Sequence, residues 1–385
     1  MMRLHTNLMQ LHNKLTLPGF VCAHTHLYST LARGMPAPAQ PPRTFLEILE
    51  RVWWRLDRAL DPEAVELSAL IGAIEAAKVG CTTIIDHHAS PGRGGGAVDG
   101  SLDLVAGAIA QVGLRGVVCY EVTDRNGADE ARAGVRENDR FLARIRREPP
   151  RLIRAMVGAH AAFTLSDGTA EAIADVANRH RAGVHIHVAE DGVDQRKGGE
   201  STVAWLQARG LVDERALLVH CVHVDEADVA RIRDAGSFVA HNPRSNANNA
   251  VGYARPSRFG DRLLLGTDGI GADMRAEAQF AFFAARDHGD TFDAVAVLAR
   301  NRAFAAAQFG VEDLADSVTL DYASPTPLDD ANFGGHLLFG LGGARVRDVV
   351  VDGHVVVRDG VCVNVDEARI YARAREVAAK VWSRL

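Results

Sequence analysis

Eight short apolar runs, spaced about one strand–helix unit apart, constrain the fold of this chain more than any other feature. Most are rich in valine and isoleucine and are too short to be helices. Continuous apolar runs of this kind are typical of strands that are buried on both faces of a parallel sheet. The predicted strands cover residues 17–26, 82–88, 115–122, 154–161, 183–190, 216–224, 237–243 and 263–269.

Segments with helical spacing separate these runs. They lie at residues 62–79, 102–112, 138–147, 169–181, 202–209 and 226–235. Strand–helix alternation repeated eight times predicts an α/β fold, a closed (β/α)8 TIM barrel. An open, doubly wound sheet is the alternative, but no G-x-G-x-x-G motif follows the first strand to favour it. We expect the barrel to span residues 18–311, with a loop in the glycine-rich stretch 92–96.

The C-terminal part of the chain has a different pattern. Residues 316–321, 346–351 and 354–358 alternate or run as strands do, and Asp352-Gly353 is typical of a two-residue hairpin turn. We expect residues 1–17 and 312–365 to form a small β-sandwich element. Residues 366–385 are predicted to form a closing C-terminal helix.

Composition narrows the functional class. The chain has 385 residues and a formal charge of −6, which gives no reason to expect nucleic acid or an anionic membrane as a partner. It has no apolar run of about 18 residues and no N-terminal signal-peptide pattern, so we expect a cytoplasmic protein. The five cysteines include no C-x-x-C pair, which predicts neither a disulfide framework nor a thiolate zinc site.

Ionisable residues lie at or near the ends of seven of the eight runs. The carboxyl ends of barrel strands hold the active site, and burying so many ionisable groups there is costly unless something binds them. The first run ends in His24-Thr25-His26. Residues i and i+2 of a strand share a face, so both imidazoles can hold one metal ion.

Two further runs complete this pattern. The fifth contains two histidines, of which His187 is nearer the strand end and is the expected third ligand, while His185 is expected to pack deeper. Glu190 follows directly, where a carboxylate can lie beside a metal-bound water; a solvated loop acid is the alternative. Asp268, after the eighth run, is the expected fourth ligand rather than a helix cap, because Gly269 and Gly271 follow it.

Three neutral imidazoles and one carboxylate suit a borderline divalent ion such as zinc, with iron or manganese as alternatives. An ion with an open coordination position lowers the pKa of a bound water, and a general base must then take the proton and pass it on. The sequence therefore predicts a hydrolase with one divalent metal ion as its cofactor.

As a set, these residues resemble the amidohydrolase superfamily, in the branch of chlorohydrolases, guanine deaminase and methylthioadenosine deaminase. The matching motifs are PGFVCAHTH (18–26), HVAE (187–190), LLVHCVH (217–223) and GTDG (266–269). The resemblance covers nearly the whole chain from residue 17 on. Further stretches are similar to the SsnA-type aminohydrolases, among them HTHLYSTLARGM (24–35), TTIIDHHASP (82–91), YEVTDRNG (120–127), GAHAAFTLSD (158–167) and HNPRSNANNAVGYA (241–254).

The resemblance implies roles for individual residues. Glu190 would shuttle the proton, with Asp268 sharing the role of general base. His220 would orient the attacking water and stabilise the tetrahedral intermediate, and His160 would contact the heterocycle. Binuclear members use a carbamylated lysine on the fourth strand, and residues 154–161 contain none, which implies a single ion. The implied metal ligands are His24, His26, His187 and Asp268.

Weaker candidates follow the second, third and seventh strands, where substrate loops lie. Each is as readily structural as substrate-binding: His88, Glu121, Asp124, Arg125 and Arg244. Trp53 and Trp54 lie in a helical run, and we expect them to pack in the core or at a subunit interface.

The leading functional hypothesis is hydrolytic deamination of an amino-substituted nitrogen heterocycle, such as a purine, pterin, pyrimidine or triazine. Hydrolysis of a cyclic amide, an imide or a C–Cl bond on the same centre is the alternative, and a non-catalytic scaffold is a third. Relatives usually carry several strands before the PGF motif, whereas 17 residues precede Pro18 here, so we expect an incomplete sandwich with exposed edges. The resemblance also implies a homodimer.

Overall fold

The computed structural model describes residues 9–11, 13–91, 98–195 and 200–385. The glycine-rich stretch 92–96 lies outside the described residues. The strands, in chain order, are β1 Met9–Leu11, β2 Lys14–Pro18, β3 Phe20–Thr25, β4 Cys81–His88, β5 Arg115–Tyr120, β6 Ile153–Ala155, β7 Val157–Ala161, β8 Val184–Val188, β9 Leu217–His220, β10 Phe238–His241, β11 Leu263–Leu265, β12 Ser317–Asp321, β13 Arg345–Val351, β14 His354–Arg358 and β15 Val361–Cys362.

The helices lie between and after these strands. They are α1 Phe45–Ile48, α2 Trp54–Ala59, α3 Pro62–Lys78, α4 Ser101–Val112, α5 Ala128–Arg147, α6 Asp167–His180, α7 Thr202–Ala208, α8 Glu226–Ala235, α9 Pro243–Asn248, α10 Met274–Asp287, α11 Ala294–Phe309, α12 Phe333–Phe339 and α13 Glu367–Trp382. A π-helical turn, Leu49–Trp53, joins α1 to α2. No helix in the described part of the chain is long and apolar enough to cross a membrane.

The parallel strands form the predicted barrel. They run in the orders β3-β4-β5-β6 and β7-β8-β9-β10-β11. β6 and β7 are two parts of one strand on either side of Met156. Parallel bridges join the two sheets at both seams, between Val122 and Ala159 and between Thr25 and Asp268. Every residue of β3, β4 and β5 is buried, as expected for strands covered on both faces.

Local sequence signals set several helix ends. Asp61 accepts a hydrogen bond from Ala64 N at the start of α3, and Pro62 occupies the first helical position. Gly80 follows the helix with a φ of 87°, a left-handed conformation that glycine adopts without strain. These features confirm the predicted helix over residues 62–79. α5 begins ten residues earlier than predicted, at Ala128 rather than 138, because half of those ten residues are charged and only one is a large apolar residue, which hides the helical spacing.

The remaining strands form an antiparallel sheet in the order β1-β2-β12-β13-β14-β15. It joins the N-terminal segment to the C-terminal part of the chain, because β2 pairs with β12. Asp352 and Gly353 connect β13 to β14 with φ values of 51° and 78°, as the hairpin signal predicts. α13 is the predicted closing helix, capped by Asp366.

Several predicted strands are shorter or divided in the structure, and the first and the eighth show why. Residues 17–26 belong to two strands, β2 in the antiparallel sheet and β3 in the barrel, which are separated at Gly19. A Cβ at Gly19 would lie 2.3 Å from Thr82 Cγ2, so only glycine fits this junction. The eighth strand ends at Leu265 rather than 269, because the chain turns there and Asp268 adopts a φ of 53°.

Candidate metal centre and active site

The four residues predicted to bind a metal converge at the carboxyl end of the barrel. His26 Nε2 lies 3.2 Å from His187 Nε2 and 3.0 Å from Asp268 Oδ1. His24 Nε2 lies 3.5 Å from the same Asp268 oxygen. One potential ligand atom from each of the four lies within 4.8 Å of the other three. Strand pairing therefore brings together residues that are separated by more than 240 positions in the sequence.

Hydrogen bonds fix the orientation of these side chains. His26 Nδ1 donates to the carbonyl of His87 at 2.6 Å, and His187 Nδ1 donates to the carbonyl of His160 at 2.8 Å. Both rings are thereby held with Nε2 towards the centre. The other oxygen of Asp268, Oδ2, accepts a hydrogen bond from the Ser245 hydroxyl. Metal-ligating side chains typically carry outer hydrogen bonds of this kind.

The chemistry of this group fits a divalent ion. His24 Nε2 is buried and has no hydrogen-bond partner among the described residues, which is costly for a polar atom unless a ligand occupies that position. Burial lowers the pKa of His24 to about 3 and places that of His187 well below its ordinary value, so both imidazoles are neutral. Three imidazole nitrogens and one carboxylate oxygen form a donor set that suits zinc, iron or manganese.

Asp268 and His26 perturb one another. Burial would lower the pKa of His26, but its contact with Asp268 outweighs burial and raises the pKa to about 9. Burial would raise the pKa of Asp268, but the adjacent rings of His24 and His26 hold it well below its usual range. Asp268 is therefore ionised, and without a metal its charge is balanced by a proton on His26.

Glu190 and His220 flank this group. Glu190 follows β8 and His220 ends β9, and His220 Nε2 lies 3.4 Å from Glu190 Oε2. His220 Nδ1 donates to Asn246 Oδ1 at 2.7 Å, which leaves Nε2 facing the centre. Burial raises the pKa of Glu190 to about 7, against the opposing effect of His220. Glu190 can therefore exchange a proton near neutral pH, as a general acid and base must.

The backbone is strained where these side chains leave the strands. Ala189, His220, Cys221 and Asp268 have φ values of 47°, 70°, 50° and 53°, in the left-handed region that non-glycine residues rarely adopt. Such strain clusters at functional sites, where the surrounding structure holds it. Residue types alone carry no signal for this feature, so the sequence did not reveal it.

A cavity of about 300 Å³ opens beside the four candidate metal ligands, which are called the metal-ligand group below. His26, His187, Glu190 and Asp268 line one end of it, and three of the weaker candidates, Glu121, Arg125 and His160, also line it. The aromatic part of the wall consists of Tyr28, Phe45, Trp53, Trp54 and Phe163. An apolar pocket with a few convergent polar groups is the usual form of a small-molecule site.

Two substrate-binding candidates lie away from this cavity. His88 is fully buried and its Nε2 bonds the Ser90 hydroxyl at 2.8 Å, because successive residues of a strand point to opposite faces and the preceding His87 occupies the barrel interior. Arg244 is held by the buried carboxylate of Glu277 and by the carbonyl of Gly271. Asp124 also plays a structural part, since it accepts hydrogen bonds from Ser166 N and Thr169 Oγ1.

Trp53 and Trp54 pack against hydrophobic clusters, as expected, and both residues also line the cavity. The π-helical turn Leu49–Trp53 takes more residues per turn than an α-helix, which shifts the face that each side chain occupies. Arg125 lies over the Trp54 ring, 5.1 Å from its centroid, and also pairs with the buried carboxylate of Asp57. The sequence analysis missed Asp57, and it also missed His87, which lies in the quoted motif TTIIDHHASP.

Known proteins are similar to this chain over most of its length. The sequence profile of the amidohydrolase family matches residues 15–356. A 5-methylthioadenosine/S-adenosylhomocysteine deaminase of Desulforudis audaxviator is 30% identical over 94% of this chain and 86% of its own length. A 5'-deoxyadenosine deaminase of Methanocaldococcus jannaschii is 27% identical over 95% of this chain and 88% of its own.

Solved structures share the fold. The adenosine deaminase of Xanthomonas campestris with bound zinc superposes with a TM-score of 0.83, at 22% identity over 96% of this chain and 87% of its own. The zinc complex of the atrazine chlorohydrolase TrzN from Arthrobacter aurescens gives 0.78, at 20% identity over 95% of this chain and 88% of its own. The chain belongs to the amidohydrolase family. It is an enzyme of the kind that hydrolyses carbon–nitrogen bonds other than peptide bonds.

Proposed function

We propose that this chain is a metal-dependent hydrolytic deaminase of an amino-substituted nitrogen heterocycle. The observation that carries the proposal is the position of Glu190 and His220 beside the four-residue donor set, at one end of an aromatic cavity. The names of the two sequence relatives, both deaminases of adenosine derivatives, support a purine nucleoside as the first substrate class to test.

His24, His26, His187 and Asp268 would hold the metal, which we expect to be zinc, with iron or manganese as alternatives. A bound divalent ion supplies Lewis acidity and lowers the pKa of a coordinated water. The remaining chemistry belongs to the protein. Glu190, whose pKa is raised to about 7, can take a proton from the attacking water and deliver it to the ring nitrogen. It can then carry the second proton of that water to the departing amine.

His220 and the aromatic side chains of the cavity can orient the attacking water and the substrate ring. With its proton on Nδ1 fixed by Asn246, His220 presents Nε2 towards Glu190 and can position the attacking water. Trp54 lines the cavity, with its ring 6.1 Å from that of His160, where it can stack on a planar heterocycle. The overall reaction replaces the ring C–NH₂ bond with a carbonyl and releases ammonia, consuming one water.

Hydrolysis of a C–Cl bond is the second candidate. A chlorohydrolase shares the fold, and the same donor set could activate water for displacement of chloride. The two reactions differ in their products, ammonia or chloride, while a ring-opened product without either would indicate hydrolysis of a cyclic amide. The homodimer and the cytoplasmic location stay predictions.

Metal content and ammonia release test the proposal together. We expect about one zinc or iron per wild-type chain, and its loss in the double variant His187→Ala/Asp268→Ala. Ammonia release is then assayed over amino-substituted purines, pterins, pyrimidines and triazines. A well-folded wild-type protein that binds no metal would contradict the mechanism, and a metal-loaded protein that releases only chloride would replace it with the second candidate.

A further inference from the structure

The carboxylate of Glu121 is buried, and one of its oxygens is within ion-pair range of Arg125 but forms no hydrogen bond to the described residues. The residue is 3% exposed, follows β5 and lines the cavity. Oε2 faces His87 Nδ1 at 3.3 Å. The closest charged groups to Oε1 among the described residues are Arg125 at 3.7 Å and His160 Nε2 at 3.9 Å, both beyond hydrogen-bonding distance. A buried carboxylate oxygen of this kind is stabilised when a donor from a ligand reaches it.

His160 presents a second acceptor beside it. Thr164 Oγ1 donates its only proton to the carbonyl of Ala161 at 2.9 Å, so it must accept from His160 Nδ1, which lies 2.8 Å away. The ring proton of His160 is thereby placed on Nδ1, and the lone pair of Nε2 faces Glu121. Two acceptors thus lie 3.9 Å apart, and no donor in the described part of the chain bridges them.

This pair adjoins the metal-ligand group. A carboxylate oxygen of Glu121, a ring nitrogen of His160 and a ring nitrogen of His187 all lie within 4.8 Å of one another. A substrate group that reaches both acceptors therefore lies beside the candidate metal ligand His187. The local charge is negative, because Arg125 is shared between Glu121 and the buried Asp57.

We propose that Glu121 and His160 form a binding site for the amino group of the substrate, and for the ammonia that leaves. The inference rests on the proposed hydrolase function and deepens it by naming the class of leaving group. An NH₂ or NH₃ group offers the hydrogen atoms that both acceptors lack. In deamination the C–N bond breaks, its electron pair goes to nitrogen, and a proton from Glu190 converts the amine to ammonia.

The same site disfavours displacement of a halide. A departing chloride has no hydrogen to donate and develops negative charge, which the ionised Glu121 repels. An amino group gains positive character as it is protonated, which Glu121 stabilises. The pair therefore selects amino-substituted rings over chloro-substituted rings that are otherwise identical.

Matched substrates test this selection. The specificity constant kcat/KM is measured for purine ribosides that carry either an amino or a chloro substituent at the same ring carbon. We expect the zinc-loaded wild type to prefer the amino compound, and Glu121→Gln to reduce the amino-to-chloro ratio by about 10- to 100-fold. Glu137→Gln is the matched control, because Glu137 is equally buried but bonds the start of α4. An unchanged ratio in Glu121→Gln would overturn the proposal.

A binding measurement decides the proposal even if neither riboside is turned over. Methylammonium carries N–H donors, and tetramethylammonium has the same charge but none. Ligand-observed NMR on the zinc-loaded protein should show binding of methylammonium alone, and its loss in Glu121→Gln at unchanged zinc content. Equal binding of both cations, or no effect of the substitution, would refute the amine site. Absence of any ammonia release would instead count against the proposed deaminase function.

Discussion

His24 Nδ1 lies 2.8 Å from His185 Nε2, and both rings are completely buried. If Nε2 of His24 faces a metal, its proton is on Nδ1 and is donated to His185, whose own proton then lies on Nδ1. That nitrogen is 3.6 Å from the thiol of Cys119. The proposed metal ligand His24 is thus oriented by a neutral imidazole, whereas backbone carbonyls orient His26 and His187.

Replacement of His185 should weaken metal binding. His185→Phe keeps most of the ring volume but removes the acceptor, and we expect the zinc dissociation constant to rise about 10- to 100-fold. His185→Gln, whose amide oxygen can accept from His24, should restore part of the affinity. Competition with a chromophoric chelator measures both. Wild-type affinity in His185→Phe would show that the contact is only packing.

Loss of the Glu190 carboxylate should abolish proton transfer and spare the metal. We expect Glu190→Gln to lower kcat about 100- to 10,000-fold on the best amino-heterocycle, at unchanged zinc content. Glu226→Gln, a solvent-exposed acid on α8, serves as the control and should keep wild-type activity. A Glu190→Gln enzyme with near-normal turnover would remove Glu190 from the mechanism.

Metal binding should release a proton from His26. The pKa of His26 is raised to about 9 in the metal-free protein, so the ring is protonated below that pH, and it must be neutral to bind a metal. His24 and His187 have lowered pKa values and contribute no proton. Between pH 7 and 8 we expect release of about one proton per ion, and weaker binding as the pH falls. Titration calorimetry in buffers of different ionisation enthalpy counts the protons, and identical heats in all buffers would contradict the assignment.

The buried pair of Asp57 and Arg125 should matter for stability. Burial raises the pKa of Asp57 to about 6 although Arg125 opposes the shift, and removal of Asp57 leaves the buried Arg125 with only the more distant Glu121 as a counter-charge. We expect Asp57→Asn to reduce the free energy of unfolding by about 3–5 kcal/mol in denaturant titrations. Asp129→Asn breaks the exposed pair with Arg132 and should change nothing measurable. Equal midpoints for the two variants would show that the buried pair contributes no net stability.

The candidate metal ligands could be predicted because strand geometry is periodic. His24 and His26 share a face at a strand end, and His187 and Asp268 end other apolar runs, so barrel topology alone brings them together. His88 and Arg244 show the limit of that reasoning. The position of a residue at a strand end does not show whether its side chain faces the barrel interior or the surrounding helices. In β4, where successive side chains alternate between these two faces, His87 points inward and His88 points outward.

The other differences between the sequence-based predictions and the structure arise from contacts between distant parts of the chain. The sequence analysis assigned residues 1–17 and 312–365 to one β element, but it could not give the register in which residues 14–18 pair with 317–321, since that contact joins segments some 300 positions apart. Nor could a helical pattern reveal the π-helical turn that places Trp53 and Trp54 at the cavity. Whether Glu121 Oε1 has a hydrogen-bond donor depends on its distances to Arg125 and His160, and only the packing of the folded chain determines those distances.

The hydrogen bonds between the first and the last barrel strand offer a way to detect metal binding at the candidate centre. The amide N–H groups of Thr267 and Asp268 both donate to the carbonyl of His24, at 2.8 and 3.1 Å. Proposed ligands therefore stand on both sides of the hydrogen bonds that close the barrel. Deuterium uptake at these two amides should slow when the centre is loaded, so a backbone signal can report occupancy by ions that have no colour or spin of their own.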